Sequence, residues 1–350
     1  MALVSACDGD QAHDLVVSQD YSSSGAKTYS VLVGAEDTPS GAELEAYFPS
    51  ELHIHPGDTV TWQQNASEIH TVTFLPHGPL PELLIPAPVE TQSSLMFNPQ
   101  VALPARPASG DFMPGSYINS GLMGREQGDA PAFRLTFPKP GRYAYYCAVH
   151  GDVHPMGVIV VEDAAARVPT PEEVKQEARE EVQGMLAQVP DVLQAAQAAS
   201  LPASSNPDGT QTHHVRVGFS SGSIDLRAFF PDKLTAHPGD RVEWALDERD
   251  PTPHSIAFLN GQGVPQLVKL DLQPGSRPLL LVNPDVVEPM HADQPLTLDG
   301  MVSSGLLWRS AQRPSTFSIQ VGSTTGQFPY VDLAHSQANM QGTIEVVLGR

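Results

Sequence analysis

The chain repeats itself once. Residues 46–62 read AYFPSELHIHPGDTVTW and residues 228–244 read AFFPDKLTAHPGDRVEW, an offset of 182 that holds through Pro49/Pro231, Gly57/Gly239 and Trp62/Trp244. The match then continues with small insertions. His70 corresponds to His254, Asn98-Pro99 to Asn283-Pro284, Ser120-Gly121-Leu122 to Ser304-Gly305-Leu306, and Gly141 to Gly326. His150 corresponds to His335, where the offset has become 185. One long offset with small insertions means duplication of a whole domain, not a short solenoid repeat. At 350 residues the chain is too long for one ordinary core and suits two.

Each copy reads as strands. Alternation runs through YSVLVG from Tyr29, TVTW, RLTF and RYAYYC. In the last, Tyr143, Tyr145 and Cys147 share one face, and Ala144 and Tyr146 the other. The HPGD strings are turns, with Pro presetting one dihedral and Gly following where φ can be positive. The 33 prolines and 28 glycines suit short strands joined by loops. The expectation for each copy is an antiparallel β-sandwich.

Between the copies the composition changes. Thr170-Pro171-Glu172-Glu173 is a capping box with Pro at the first helical position, and helix formers follow. Pro190-Asp191 interrupts the run, and residues 201–210 (LPASSNPDGT) read as a loop. The expected role of this segment is a helical spacer, with packing across both sandwiches as the alternative. The divisions are a lipoprotein-like N-terminus and polar tether at 1–27, a first domain at 28–162, a helical linker and loop at 163–211, and a second domain at 212–350.

Hydrophobic residues make up 40% and charged residues 17%, which is globular rather than disordered composition. No apolar stretch approaches the roughly 18 residues of a membrane-spanning helix. The formal net charge of −21 argues against nucleic acid and would steer towards a basic partner. Cys7 closes the string LVSAC, which resembles the lipobox of bacterial lipoproteins. The charged start and apolar run usual before such a cysteine are missing, and residues 8–27 read as a polar tether. The expectation is a lipid anchor at Cys7; a disulfide to Cys147 is the alternative.

The segment richest in chemistry is YYCAVHGDVHPMG, Tyr145 to Gly157. It places Cys147, His150, His154 and Met156 in one loop after a strand. A thiolate, imidazoles and a thioether together suit copper, whereas carboxylates would suit magnesium or calcium and four thiolates zinc or iron–sulfur. His70, opening the apolar run HTVTF, is the natural source of a further imidazole. His53 and His55, beside the HPGD turn, read as structural or surface residues.

On these residues the chain resembles the cupredoxin family of blue copper proteins, plastocyanin and pseudoazurin among them. The resemblance covers roughly residues 28–162 and again 212–350, and implies two tandem Greek-key β-sandwich domains in an all-β fold. It implies one type 1 copper in the first domain, held by His70, Cys147, His150 and Met156. Met156 stands nine residues after Cys147 where the family commonly has eight, so His154 is a competing axial donor.

The second copy keeps the family spacing as Asp332-x2-His335-x4-Met340-x-Gly342, with Asp where Cys belongs and His254 in the first histidine's place. A site of His254, Asp332, His335 and Met340 either binds a harder ion or is a metal-free relic, the latter being the favoured reading. Two-domain relatives that are reductases or oxidases carry a histidine beside the ligand cysteine. Here the neighbours are Tyr146 and Ala148. The resemblance therefore implies an electron carrier rather than an enzyme, exported to the periplasm or cell surface, with a redox protein such as a cytochrome as partner. A copper carrier or store, or a docking module, is the alternative. The edge of His150, ringed by Val149, Val153 and Pro155 and extended by residues 79–89, is the expected exposed docking patch.

Overall fold

The alternating segments form strands, and the Pro- and Gly-rich strings between them form turns. The computed structural model describes residues 25–89, 91–124, 132–151, 157–272, 278–309, 313–336 and 340–349. The first copy contains β1 (Thr28–Asp37), β2 (Ala42–Phe48), β3 (Glu51–Ile54), β4 (Thr59–Gln64), β5 (Thr73–Phe74), β6 (Leu84–Pro86), β7 (Leu95–Phe97), the turn α1 (Pro99–Ala102), β8 (Ile118–Asn119), β9 (Ala132–Thr136), β10 (Gly141–Tyr145) and β11 (Gly157–Val161). Helices α2 (Pro171–Leu186) and α3 (Val189–Ala198) follow, then β12 (Ser204–Ser205). The second copy contains β13 (Gln211–Ser221), β14 (Ile224–Phe230), β15 (Lys233–Ala236), β16 (Arg241–Leu246), β17 (Ala257–Phe258), β18 (Val268–Asp271), β19 (Leu279–Val282), the turn α4 (Pro284–Val287), β20 (Val302–Ser303), β21 (Thr316–Gln320), β22 (Gly326–Val331) and β23 (Gln341–Val346).

The fold is all-β, with one sandwich core in each copy. Trp62 lies at the centre of the first, edge-on to Phe74 and Tyr145; Trp244 occupies the same place against Phe258 and Tyr330. The sheets are mixed, which corrects the antiparallel expectation. β1 runs antiparallel to β2 but parallel to β4, β13 does the same with β14 and β16, and β3–β11 and β15–β23 are also parallel. The physical reason is the route of the chain. It leaves β2 for the opposite sheet as β3 and returns as β4 beside β1, so β4 runs in the direction of β1.

The two copies are not beads on a string. β2 pairs antiparallel with β14, Leu44 opposite Ile224, Glu43 opposite Asp225 and Ala42 opposite Leu226, and this joins both copies into one nine-stranded sheet. Under the repeat offset, residues 42 and 44 correspond to 224 and 226, so the pairing is self-complementary about a local two-fold. A second joint pairs Met96 of β7 with Leu281 of β19. Between these joints one apolar cluster draws Leu83, Phe97 and Val101 from the first copy and Val282, Val286 and Leu306 from the second.

The helical segment differs from the spacer expected of it. Thr170 and Glu173 form the capping box that starts α2. Ala178, Val189, Val192 and Ala196 then bury against Ala35, Leu44, Phe48, Phe219 and Ile224, so α2 and α3 cover the β1–β2–β14 joint. Among the described residues no helix is long and apolar enough to cross a membrane. Cys7 and most of the tether lie outside the described residues.

Candidate metal centre and its counterpart

Two strand ends converge in the first copy. Thr73 and Tyr146 exchange main-chain hydrogen bonds at 2.9 Å each way, which sets the start of β5 beside the loop after β10. His70, just before β5, is pinned by a main-chain pair with Met123. The result brings Cys147 Sγ to 3.3 Å from His150 Nδ1 and 3.7 Å from His70 Nδ1. All three residues are buried, and one donor atom from each lies within 4.8 Å of the others.

The surroundings hold this arrangement. The Thr71 N–H donates to Cys147 Sγ at 3.4 Å, and its hydroxyl accepts from the Ala148 N–H at 2.7 Å. The Thr73 hydroxyl, 2.9 Å from that of Thr71, donates to Asn119 Oδ1. Gly34 sits at a bulge between β1 and β2 with φ +68°, and a Cβ there would come within 2.7 Å of His70 Nε2. The position therefore needs glycine for its backbone and for the imidazole beside it. Burial pushes the Cys147 thiol up to about 11, against N–H groups of Thr71, His150 and Val149 that favour the anion. A bound cation reverses that balance, because a coordinating thiol is deprotonated.

One neighbour was missed from sequence. Glu45, on β2, is fully buried, and its Oε2 lies 3.0 Å from His150 Nδ1 and 3.7 Å from His70 Nδ1. Its Oε1 accepts from Arg227 Nη2 of the second copy at 3.0 Å. Arg227 also stands near Glu68, Asp225 and Asp250, at 3.9, 3.7 and 3.8 Å, and donates to Thr252 Oγ1. Burial opposes this charge, but the four carboxylates hold Arg227 firmly protonated. In the sequence, alternation in AELEAYF sets Glu43 and Glu45 on one face with Tyr47 and says nothing of this contact. The only signal was that the repeat sets Glu45 against Arg227.

The second copy reproduces the scaffold with different chemistry. Asp332 occupies the place of Cys147, and its Oδ2 lies 2.6 Å from His254 Nδ1 and 2.8 Å from His335 Nδ1. Its Oδ1 accepts from Ser255 N and Oγ and from Ala334 N, at 2.9, 3.0 and 2.9 Å. Ser255 thus repeats the part of Thr71, even to accepting the Leu333 N–H at 2.7 Å. On its far side His254 Nε2 meets Asp250 Oδ2 at 2.8 Å. Burial works to raise the Asp332 carboxyl, yet His335 and His254 hold it well below the usual carboxylate range. Met340 is buried in the second core, and its carbonyl accepts from the Asp332 N–H.

Of the residues chosen from sequence, the structure brings together His70, Cys147 and His150, and separately His254, Asp332 and His335. Met156 and its rival His154 lie outside the described residues, as do Val153 and Pro155. The docking patch needs correction. His150 is only 2% exposed, and Leu83 and Leu84 of the adjoining apolar run are buried in the cluster shared with the second copy. That face is covered because the second copy sits on it. What His150 borders is an open cleft of about 750 Å³, lined also by Phe74, Leu80, Tyr146 and Trp308. His53 lies between Glu51 and Glu162, and His55 contacts the Ala166 carbonyl, both away from the site.

No protein-family model matches the chain. Solved structures similar to it include a mutant plastocyanin of fern, at 26% identity over 38% of this chain and 99% of that one, TM-score 0.22. A mutant amicyanin with Cu(I) is similar at 23% identity over 39% of this chain and 82% of its own, TM-score 0.23. A purple cupredoxin from Nitrosopumilus maritimus is similar at 18% identity over 38% of this chain and 99% of its own, TM-score 0.22.

Proposed function

We propose that this protein binds one type 1 copper ion at His70, Cys147 and His150, with Met156 as thioether donor, and serves as an electron carrier outside the cytoplasm. The observation that carries the reading is the convergence of one thiol and two imidazole Nδ1 atoms, all buried, with a backbone N–H directed at the sulfur. This donor set fits copper: one soft anionic sulfur and two borderline nitrogens. Copper there would supply the one-electron couple between Cu(I) and Cu(II). The chain's part is to fix the donors. The hydrogen bonds of Thr71 and Thr73 clamp the cysteine loop, and Gly34 and the Met123 pairing clamp His70. Ligands so held reorganise little on electron arrival, and burial keeps water off the sulfur.

The cleft beside His150 is the proposed side of electron passage, and the net charge of −21 favours a basic redox protein as partner. An enzymatic role is disfavoured, because Tyr146 and Ala148 flank Cys147 and provide no imidazole towards a further centre. In the second copy the carboxylate already satisfies both histidines, which supports a metal-free polar core. Three donors within 4.8 Å support the second reading, a harder divalent ion.

The test is copper content and visible absorption of wild type beside Cys147→Ser. One copper per chain and an intense thiolate-to-copper band, absent from the variant, are expected. A copper-loaded wild type without such a band would leave copper carriage or a structural role as the better account. Two metals per chain with one band would establish ion binding in the second copy.

A further inference from the structure

Glu45 is a buried carboxyl group that a buried thiolate site does not need. Carboxylates are taken out of water only where something compensates them. Arg227 compensates Oε1 with a 3.0 Å hydrogen bond. Oε2 faces the other way, against the Nδ1 atoms of His150 and His70, the same nitrogens that converge on Cys147 Sγ. Among the described residues no group donates a hydrogen bond to Oε2, and its contacts with His150 and His70 are ion-pair contacts at 3.0 and 3.7 Å. A buried oxygen set beside two metal-ligand nitrogens, with a hydrogen bond to neither, is placed to meet a cation between them.

The second copy supports the same logic by contrast. There a carboxylate oxygen also stands against two histidine Nδ1 atoms, but it comes from Asp332, in the cysteine's place, and its distances of 2.6 and 2.8 Å close the site with hydrogen bonds. The residue corresponding to Glu45 is Arg227, which points back across the joint to hold Glu45. The duplication has thus diverged so that one copy contributes the oxygen and the other the cation that aims it.

We propose that Glu45 Oε2 is an additional oxygen donor to the copper of the first copy, on the side of the joint, and that Arg227 of the second copy is its positioning residue. The inference rests on the copper reading of His70, Cys147 and His150. An anionic oxygen favours Cu(II) over Cu(I) and weakens the dominance of the thiolate in the spectrum. The reduction potential is accordingly lower than three neutral or soft donors around one thiolate would give.

The experiment compares copper-loaded wild type, Cys147→Ser and Glu45→Gln by absorption, electron paramagnetic resonance and reduction potential. The expected result is a band lost in Cys147→Ser but present in Glu45→Gln, with its maximum and copper hyperfine splitting shifted and the potential raised. A Cys147-dependent band identical in wild type and Glu45→Gln, at an unchanged potential, overturns the Glu45 proposal and leaves the copper site standing. No Cys147-dependent band in wild type overturns both. If Glu45→Gln does not fold, the crystal structure of the copper-loaded wild type decides. Oε2 within about 3 Å of the copper upholds the donor, and a longer distance overturns it.

Discussion

The two copies hold their histidine pairs on one scaffold and fill the space between the pairs differently. In the first, Cys147 Sγ stands 3.3 and 3.7 Å from the imidazoles. In the second, Asp332 Oδ2 stands 2.6 and 2.8 Å from them. The supports are alike: a hydroxyl residue, Thr71 or Ser255, donates its N–H to the central group and accepts from the residue after it. The difference is therefore in what the site asks of its surroundings. A carboxylate between imidazoles satisfies itself by hydrogen bonding and charge. A buried thiol between imidazoles does not, and it becomes a strong donor only when a soft cation draws off its proton.

The sharpest way to break this contrast is to exchange the central group. Asp332→Cys is expected to add a second copper and a second thiolate band. If the variant still takes up one copper, the difference lies in the neighbours of His254, above all Asp250, and not in residue 332. Next in size is the cation shared by both sites. Arg227→Met leaves Glu45, Asp225, Asp250 and Glu68 without their buried counter-charge, and a loss of about 3–5 kcal/mol in chemical denaturation is expected. A loss below about 1 kcal/mol would mean that the carboxylates neutralise themselves by taking up protons.

The joint itself gives a pH test. Glu43 and Asp225 face each other across the β2–β14 pairing. Burial raises the Glu43 carboxyl to about 8, with Glu68 adding and Arg227 opposing. Burial raises Asp225 to about 7, with Arg227 opposing and Asp250 adding. Both are acids with folded pKa values above their unfolded ones, so the folded state gains most when they are protonated. Their contribution is full below about pH 4 and is lost as pH rises through about 7 to 8. Glu43→Gln keeps its stability across that window better than wild type, so the gap in Tm between them should widen from pH 5 to pH 8. A constant gap would show that Glu43 titrates as it does in the unfolded chain.

The smallest effects separate the two supports. Thr71→Val leaves the Ala148 N–H without its acceptor, and Ser255→Ala does the same to Leu333. Each should cost about 1–3 kcal/mol in thermal or chemical melts. Only Thr71→Val should also alter the proposed copper band, since only Thr71 clamps a cysteine. An equal spectral effect from both would mean that the sites communicate through Arg227 and not through their own loops.

Much of this was legible along the chain. The repeat, the strand alternation, the HPGD turns and the spacing Cys147-x2-His150 are local patterns, and local patterns act through neighbours in sequence. His70 is marked by its place at the head of the apolar run HTVTF, and His254 by the repeat that aligns it with His70, but the sequence does not show what either touches. The mixed sheets were not legible, since alternation reports which face a side chain takes and is silent on the direction of the neighbouring strand.

By itself the sequence determined the duplicated all-β plan, the two His pairs and the single thiol between them. Only the tertiary structure decided what lies behind those sites. Alternation puts Glu43, Glu45 and Tyr47 on one face, and is silent on which residues of the other copy meet it. The pairing of β2 with β14 brings Arg227 of the second copy to Glu45 in a buried carboxylate–guanidinium cluster, and the second copy also packs on the apolar run beside His150, which is buried where an exposed edge was expected. Charge in water is screened by solvent, whereas charge under a second domain must be met by a partner at a definite distance. Which partner that is depends on contacts between residues 182 positions apart, as Glu45 and Arg227 are.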